Sequence, residues 1–261
     1  MVIALYKPKF IVLDGQGWNC ENETAEAIEL AGGKADKVYI KKLMANPKML
    51  RGYQGLVLPG GFTYGDDLGS GRVAALDLES AKYEMKKFLK EEKIMIGICN
   101  GFQIAVWLGI TPAIDGKFFD GKKASLLWND SAMFRNRWTY LKNVGGDCVL
   151  TKDIDTMYLP VRHGEGKFVA SKDVLKKVED QKLVAFRYCD ENGNTYVGDP
   201  YNPNGSTNNI AACCTKTTLF MMPHPEAYTK KWQHPRWTRE PNLPQEGDGM
   251  KIFRNAVDYF E

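Results

Sequence analysis

Ile94-Met95-Ile96-Gly97-Ile98-Cys99-Asn100-Gly101-Phe102-Gln103 joins an unbroken apolar run to a cysteine bracketed by glycines, with a short helical pattern beyond it. A buried strand that runs into a helix through so sharp a turn predicts a nucleophile elbow, in which the nucleophile takes a strained backbone geometry and projects above the sheet. Side chains at positions 97 and 101 would obstruct such a turn, which accounts for Gly97 and Gly101. The Cys99 thiol then stands at a helix N-terminus. That favours the thiolate that attacks carbonyl carbon, and the N–H groups of the turn can hold the resulting oxyanion. The alternative use of Cys99 is a small buried hydrophobe. A packing cysteine needs neither glycine on both sides nor a histidine with a carboxylate partner elsewhere in the chain.

Outward from the elbow, short apolar runs at 10–13, 38–40, 55–58 and 94–98 alternate with amphipathic stretches at 23–31 and 73–90. Runs without polar alternation are strands buried on both faces, which requires a parallel sheet covered by helices. Ligands of such sheets lie beyond the carboxyl ends of the strands. Three segments occupy those positions: 14–20, 59–72 and the elbow. From about residue 125 the pattern changes to aromatic and β-branched segments at 138–141, 183–188, 210–213 and 218–222, read as an antiparallel extension of the sheet. The stretch 227–249, with three prolines and little periodicity, reads as a long ordered loop before a final helix at 250–260. No linker-like composition divides the chain. The expectation is an α/β fold: one flavodoxin-like domain over 1–261 with a mostly parallel central sheet, helices on both faces and an antiparallel extension.

The 261 residues and 44% apolar content suit one full core, and the net charge of +3 is spread along the chain, with no basic patch for nucleic acid. The six cysteines, Cys20, Cys99, Cys148, Cys189, Cys213 and Cys214, have neither zinc-site spacing nor a disulfide pattern. No apolar run approaches the ~20 residues needed to cross a bilayer, and no signal-peptide pattern is present. The expected setting is the cytoplasm, without metal or membrane.

A cysteine nucleophile needs a base, and there are three histidines: His163, His224 and His234. Two head a His-x-Glu pattern, His163-Gly164-Glu165 and His224-Pro225-Glu226. In extended backbone, residues two apart share a side, so the glutamate can orient the imidazole. Prolines on both sides stiffen His224, and the apolar strand 218–222 carries it to a sheet end beside the elbow. His163 lies among glycines, which hold a general base poorly; it is expected as a loop histidine bound to backbone or water, with a partner interface as the rival. His234 is expected to be structural. The triad is therefore Cys99, His224 and Glu226. The glycine pair of Leu58-Pro59-Gly60-Gly61-Phe62-Thr63-Tyr64-Gly65-Asp66, alone an ordinary turn after a strand, gains weight beside an elbow because glycine lets a backbone N–H face a substrate oxygen.

Together these residues resemble the class I glutamine amidotransferases, which carry a Gly-x-Cys-x-Gly-x-Gln elbow, a Pro-Gly-Gly oxyanion loop and a C-terminal His-Pro-Glu. Here they are 97–103, Pro59-Gly60-Gly61 and His224-Pro225-Glu226. The finer pattern is similar to the glutaminase subunits of phosphoribosylformylglycinamidine synthase. It includes Gly-Gly-Phe-Thr-Tyr-Gly-Asp at 60–66, Cys-Asn-Gly at 99–101, Trp-Asn-Asp-Ser at 128–131, His-Gly-Glu-Gly at 163–166, Asn-Pro-Asn-Gly-Ser at 202–206 and Met-Met-Pro-His-Pro-Glu at 221–226. Phe102, Asp14-Gly15-Gln16-Gly17-Trp18 and the length of 227–249 depart from the usual family pattern.

The resemblance implies that Cys99 attacks the side-chain carboxamide of L-glutamine. The N–H groups of Gly61 and Asn100 would hold the oxyanion, and His224, oriented by Glu226, would protonate departing ammonia. Gln103, Asn129 and Ser131 would hold the amino-acid end. The chain has no Gly-x-x-x-x-Gly-Lys-Ser/Thr segment, so it is expected to need no cofactor itself. ATP and Mg would be used by a separate synthetase subunit that converts formylglycinamide ribonucleotide, with a small bridging subunit in many organisms. Two other readings are the glutaminase of another class I complex and, behind it, an intracellular cysteine peptidase or deglycase of similar fold. In the latter families a histidine commonly follows the nucleophile, where this chain has Asn100. A non-enzymatic regulatory subunit would usually have lost the nucleophile or base, and both are present.

Overall fold

The computed structural model describes residues 7–261. The first half builds the parallel sheet: β1 (Lys9–Asp14), α1 (Glu21–Leu30), β2 (Lys34–Tyr39), α2 (Ile40–Ala45), β3 (Gly55–Leu58), α3 (Arg72–Leu78), α4 (Lys82–Lys90), β4 (Ile94–Ile98) and α5 (Asn100–Trp107). Then follow β5 (Ala124–Trp128), β6 (Arg135–Asn143), β7 (Thr156–His163), β8 (Glu165–Ala170), α6 (Lys172–Asp180), β9 (Val184–Cys189), β10 (Ile210–Thr215), β11 (Thr218–Met221) and α7 (Met250–Asp258). Among the described residues nine strands form one sheet in the order β2-β1-β3-β4-β11-β10-β9-β6-β7, and β5 pairs with β8 in a second, two-stranded one.

The first five strands of that order run parallel, with β11 closing the row beside β4 through Met221↔Ile98. The other four add on antiparallel. This is the flavodoxin-like α/β fold expected from the apolar runs, with one correction: 218–221, read as part of the antiparallel extension, is the fifth parallel strand, because it pairs in register with the buried β4. Every residue of β3 and β4 is buried, which only a sheet covered on both faces allows. Helix α1 packs with α7, and α3 with α5. Close approach explains the strand glycine: a Cβ on Gly55 would lie 1.9 Å from the Phe10 ring. Phe102, a departure from the family pattern, is a core residue, stacked between Phe168 and Phe220 at centroid distances of 6.5 and 6.4 Å. No helix among the described residues is long and apolar enough to cross a membrane.

Several expected boundaries need correction. The second strand begins at Lys34 and Ile40 already belongs to α2, because the strand's outer residues are half-buried or exposed and carry no apolar run. The amphipathic stretch 73–90 is two helices, with a 3-10 turn at Glu79–Ala81 whose Ser80 Oγ donates to Asp77 O. Helix α7 ends at Asp258, short of the expected 260. Strand β7 carries Pro160 and escaped sequence reading; it lies at the sheet edge, where a residue without an N–H is tolerated.

Candidate active site

Cys99 links β4 to α5 with φ +51° and ψ −105°, the left-handed strain expected of an elbow, which costs about 1–3 kcal/mol and persists because its surroundings fix it. Its N–H donates to Met221 O at 2.7 Å, tying the elbow to the strand that leads to His224. The flanking glycines are needed for space. A Cβ on Gly101 would lie 1.9 Å from Leu58 O, and one on Gly97 would lie 2.6 Å from the Phe220 ring. The thiol itself is buried and faces Arg162 O on β7 at 3.6 Å.

The structure brings His224 to this thiol. Its N–H is held by Pro160 O at 2.9 Å, and its Nδ1 is 2.5 Å from Glu226 Oε1. A carboxylate only accepts, so Nδ1 carries the proton there and Nε2 is free for chemistry. The pair is not aligned along extended backbone, as the sequence suggested. His224 is extended, but Pro225–Ala227 is a 3-10 turn that folds Glu226 back beneath the imidazole. Burial opposes a charge on His224, yet Glu226 and Cys99 outweigh it and hold its pKa well above the usual imidazole value. An imidazolium beside a thiol is the arrangement of an activated cysteine nucleophile.

The glycine loop after β3 lies against the same site. Gly60 O accepts from the N–H groups of Asn19 and Cys20, both at 3.2 Å, and Phe62 N–H donates to Gly17 O at 2.6 Å, so the loops expected at the carboxyl ends of β1 and β3 are laced together. Gly61 has φ +152°, and a Cβ there would lie 2.3 Å from Gly17 O. Only glycine fits. Asn100 is the first residue of α5, so its N–H has no acceptor within the helix and remains available at the turn.

The residues expected at the amino-acid end lie around the β7–β8 turn. Gln103 Nε2 donates to Glu165 O at 2.7 Å, and its Oε1 accepts from Asn100 Nδ2 at 2.8 Å, leaving one N–H and one lone pair open. Asn129 is buried, its Nδ2 donating to Met133 O and His163 O. Ser131 Oγ accepts from Arg135 Nε at 3.0 Å. His163 needs correction: it is the last residue of β7, fully enclosed, with Nδ1 3.0 Å from Asn129 Oδ1. It is neither a loop residue nor placed to meet a partner. Burial, helped by His224, pushes its pKa down to about 3, so it stays neutral. His234 is structural, enclosed by Trp138, Tyr158 and Tyr228.

Sequence reasoning left Cys20 unassigned. Its Sγ is 4.0 Å from His224 Nδ1, and the ligand atoms of Cys20, His224 and Glu226 lie within 4.8 Å of one another. That spacing resembles a metal site, but the 2.5 Å contact between Nδ1 and Glu226 is a hydrogen bond and accounts for the clustering. A second sign was unreadable from sequence. Among the described residues five buried side-chain atoms lack a hydrogen-bond partner, and three are His224 Nε2, Glu226 Oε2 and His163 Nε2. Buried polar atoms left open are rare and concentrate where a ligand or reaction completes them.

Comparison with known proteins shows the family of the chain. Residues 7–260 match the model of the CobB/CobQ-like glutamine amidotransferase domain. The chain is 43% identical over 257 residues to the phosphoribosylformylglycinamidine synthase subunit PurQ of Dehalococcoides mccartyi, covering 97% of this chain and 98% of that protein. It is 36% identical to the subunit of the same name from Methanococcus maripaludis, with 97% of each covered. Among solved structures it is similar to a chain of PurLQS from Thermotoga maritima, with a TM-score of 0.73 and 27% identity over 98% of this chain and 100% of that one.

Proposed function

The chain belongs to the CobB/CobQ-like glutamine amidotransferases, among the PurQ subunits of phosphoribosylformylglycinamidine synthase, and on that premise we propose that Cys99, His224 and Glu226 form its glutaminase triad. The observation that carries this reading is the strained Cys99 elbow beside a buried imidazole clamped by Glu226 at 2.5 Å. The Cys99 thiolate attacks the side-chain carbonyl carbon of L-glutamine. The N–H groups of Gly61 and Asn100 receive the oxyanion, and His224 gives its proton to the departing ammonia. Water, deprotonated by the now neutral His224, hydrolyses the glutamyl thioester and returns glutamate and the thiol. Gln103, Asn129 and Ser131 shape the end that holds the amino-acid portion of glutamine.

The chain has no Gly-x-x-x-x-Gly-Lys-Ser/Thr segment, which supports use of the ammonia elsewhere. It passes to a synthetase subunit that aminates formylglycinamide ribonucleotide with ATP and Mg, with a small bridging subunit as a further partner. An apolar rim supports docking at this mouth. Phe62 follows the Gly61 donor, Met133 and Phe134 follow Ser131, and Trp128 lies over Gly164; all four are exposed, and the Phe62 and Phe134 rings are 6.1 Å apart. The continuous nine-stranded sheet supports action as a single domain.

The test is peptide-resolved mass analysis after exposure to a diazo-ketone analogue of glutamine, with and without the synthetase subunit. An adduct on Cys99, absent in Cys99→Ala and slowed in His224→Ala, is expected. No adduct under either condition returns the reading to a peptidase-like enzyme or a regulatory subunit.

A further inference from the structure

The two oxyanion donors come from different elements, Gly61 from the loop after β3 and Asn100 from the first turn of α5. One side chain sets their spacing. The Asn100 carboxamide is fully buried, and its Oδ1 accepts from Thr63 Oγ1 at 2.6 Å and Thr63 N–H at 3.2 Å. Its Nδ2 donates to Gln103 Oε1 at 2.8 Å and Asp66 Oδ1 at 3.3 Å. Two lone pairs and two N–H groups are all that a carboxamide offers, and each is used. Three of these four bonds reach the 61–66 loop, and the fourth reaches Gln103, whose Nε2 carries the connection to Glu165 O.

That loop does not hold its shape by local preference. Tyr64, Asp66 and Leu68 have φ of 55°, 57° and 61°, conformations that L side chains adopt at a cost, and Gly65, Gly69 and Gly71 are left-handed as well. A segment with so many left-handed residues keeps one conformation only when neighbouring groups over-determine it. Asn100 supplies that constraint from the elbow itself.

We propose that the Asn100 carboxamide is a positioning group that registers the Gly61 loop against the Cys99 elbow, so that the two backbone N–H groups converge on one oxygen. The proposal rests on the glutaminase reading. It is separable from the oxyanion donor that Asn100 also provides, because the backbone N–H survives any non-proline substitution while an apolar side chain removes the clamp. A leucine is similar in size and makes none of the four bonds.

The experiment compares two reactions of Cys99 in the full chain assembled with its synthetase subunit. Rapid-quench mass analysis follows formation of the glutamyl thioester from glutamine, which passes through an oxyanion. Peptide-resolved alkylation by iodoacetamide displaces iodide at a tetrahedral carbon and builds no oxyanion. Asn100→Leu and Thr63→Val are expected to slow thioester formation by about 10- to 100-fold, less than the ~100- to 1000-fold typical of deleting a donor outright. Alkylation of Cys99 stays within about twofold, because the thiol and its base are untouched. Thr63→Ser, which keeps the hydroxyl, restores thioester formation. If Asn100→Leu does not fold, the Thr63 pair carries the comparison. Three results overturn the clamp: wild-type acylation in the variants, equal loss of both reactions, or Thr63→Ser no better than Thr63→Val. A wild-type complex that forms no thioester overturns the glutaminase reading instead.

Discussion

Gly60→Ala should nearly silence this enzyme while leaving it folded. A Cβ added at Gly60 would lie 2.7 Å from His224 Cε1, 3.3 Å from His224 Nδ1 and 3.3 Å from Cys20 Sγ. Ordinary carbon contacts are about 3.5–4.0 Å, so the imidazole must retreat by about 0.8–1.3 Å. The backbone at Gly60 is outside the left-handed region, so the methyl group costs packing rather than conformation. Overpacking of this kind costs about 1–3 kcal/mol of stability. The catalytic effect is larger. A displacement of ~1 Å in a reacting group costs on the order of 100-fold in rate, or about 2.7 kcal/mol of barrier. His224 has little room to yield in another way, since Glu226 holds Nδ1 at 2.5 Å and Pro160 O holds its N–H. The assay is glutamate release by the assembled complex, beside a thermal melt of the isolated chain. A folded Gly60→Ala protein with glutaminase turnover within about threefold of wild type would show that His224 is not the proton donor held against this loop.

Two further perturbations test the electrostatics. Glu226→Gln removes the carboxylate that holds the His224 pKa up, so burial prevails and that pKa falls. The alkaline limb of the glutaminase pH profile, where His224 loses the proton that ammonia departs with, should move to lower pH; an unmoved limb would contradict the assignment. His163 acts on stability with the opposite sign. Its pKa is about 3 in the folded chain. The unfolded chain, near the ordinary value, therefore binds the extra proton as pH falls, and the stability lost between about pH 7 and about pH 5 from this group is about 2 kcal/mol. The raised pKa of His224 offsets part of that in wild type, but His163→Gln retains His224, so the difference between the two proteins reports His163 together with its repulsion of His224. Urea unfolding at both pH values measures it, and parallel pH dependences would refute a neutral, buried His163.

The sequence announced those parts of the site whose chemistry needs unusual residues in a row. Gly97 and Gly101, on either side of Cys99, are dictated by contacts of 1.9–3.0 Å that any side chain would violate, and such exclusions leave a mark in the sequence itself. His224 between two prolines is similar, because its stiffness is local. The parallel sheet was legible for the same reason, since strands buried on both faces must be apolar throughout. What escaped reading depends on partners far along the chain. His163 stands next to glycine, and its pairing with Arg135 in the sheet and its contact with Asn129, 34 residues away, make it a fixed residue. Cys20 gains its place beside His224 from a separation of 204 residues. In the sequence Asn100 stands out for its backbone alone, as the residue after Cys99, whereas its side chain meets Thr63, 37 residues earlier, across the mouth of the site. Local sequence thus specifies the proposed nucleophile and its turn, and long-range hydrogen bonds specify the frame that holds the proposed base and oxyanion donors around it. Substitutions in the first group should therefore destroy reactivity of the thiol itself, and substitutions in the second should leave a reactive thiol that acylates more slowly.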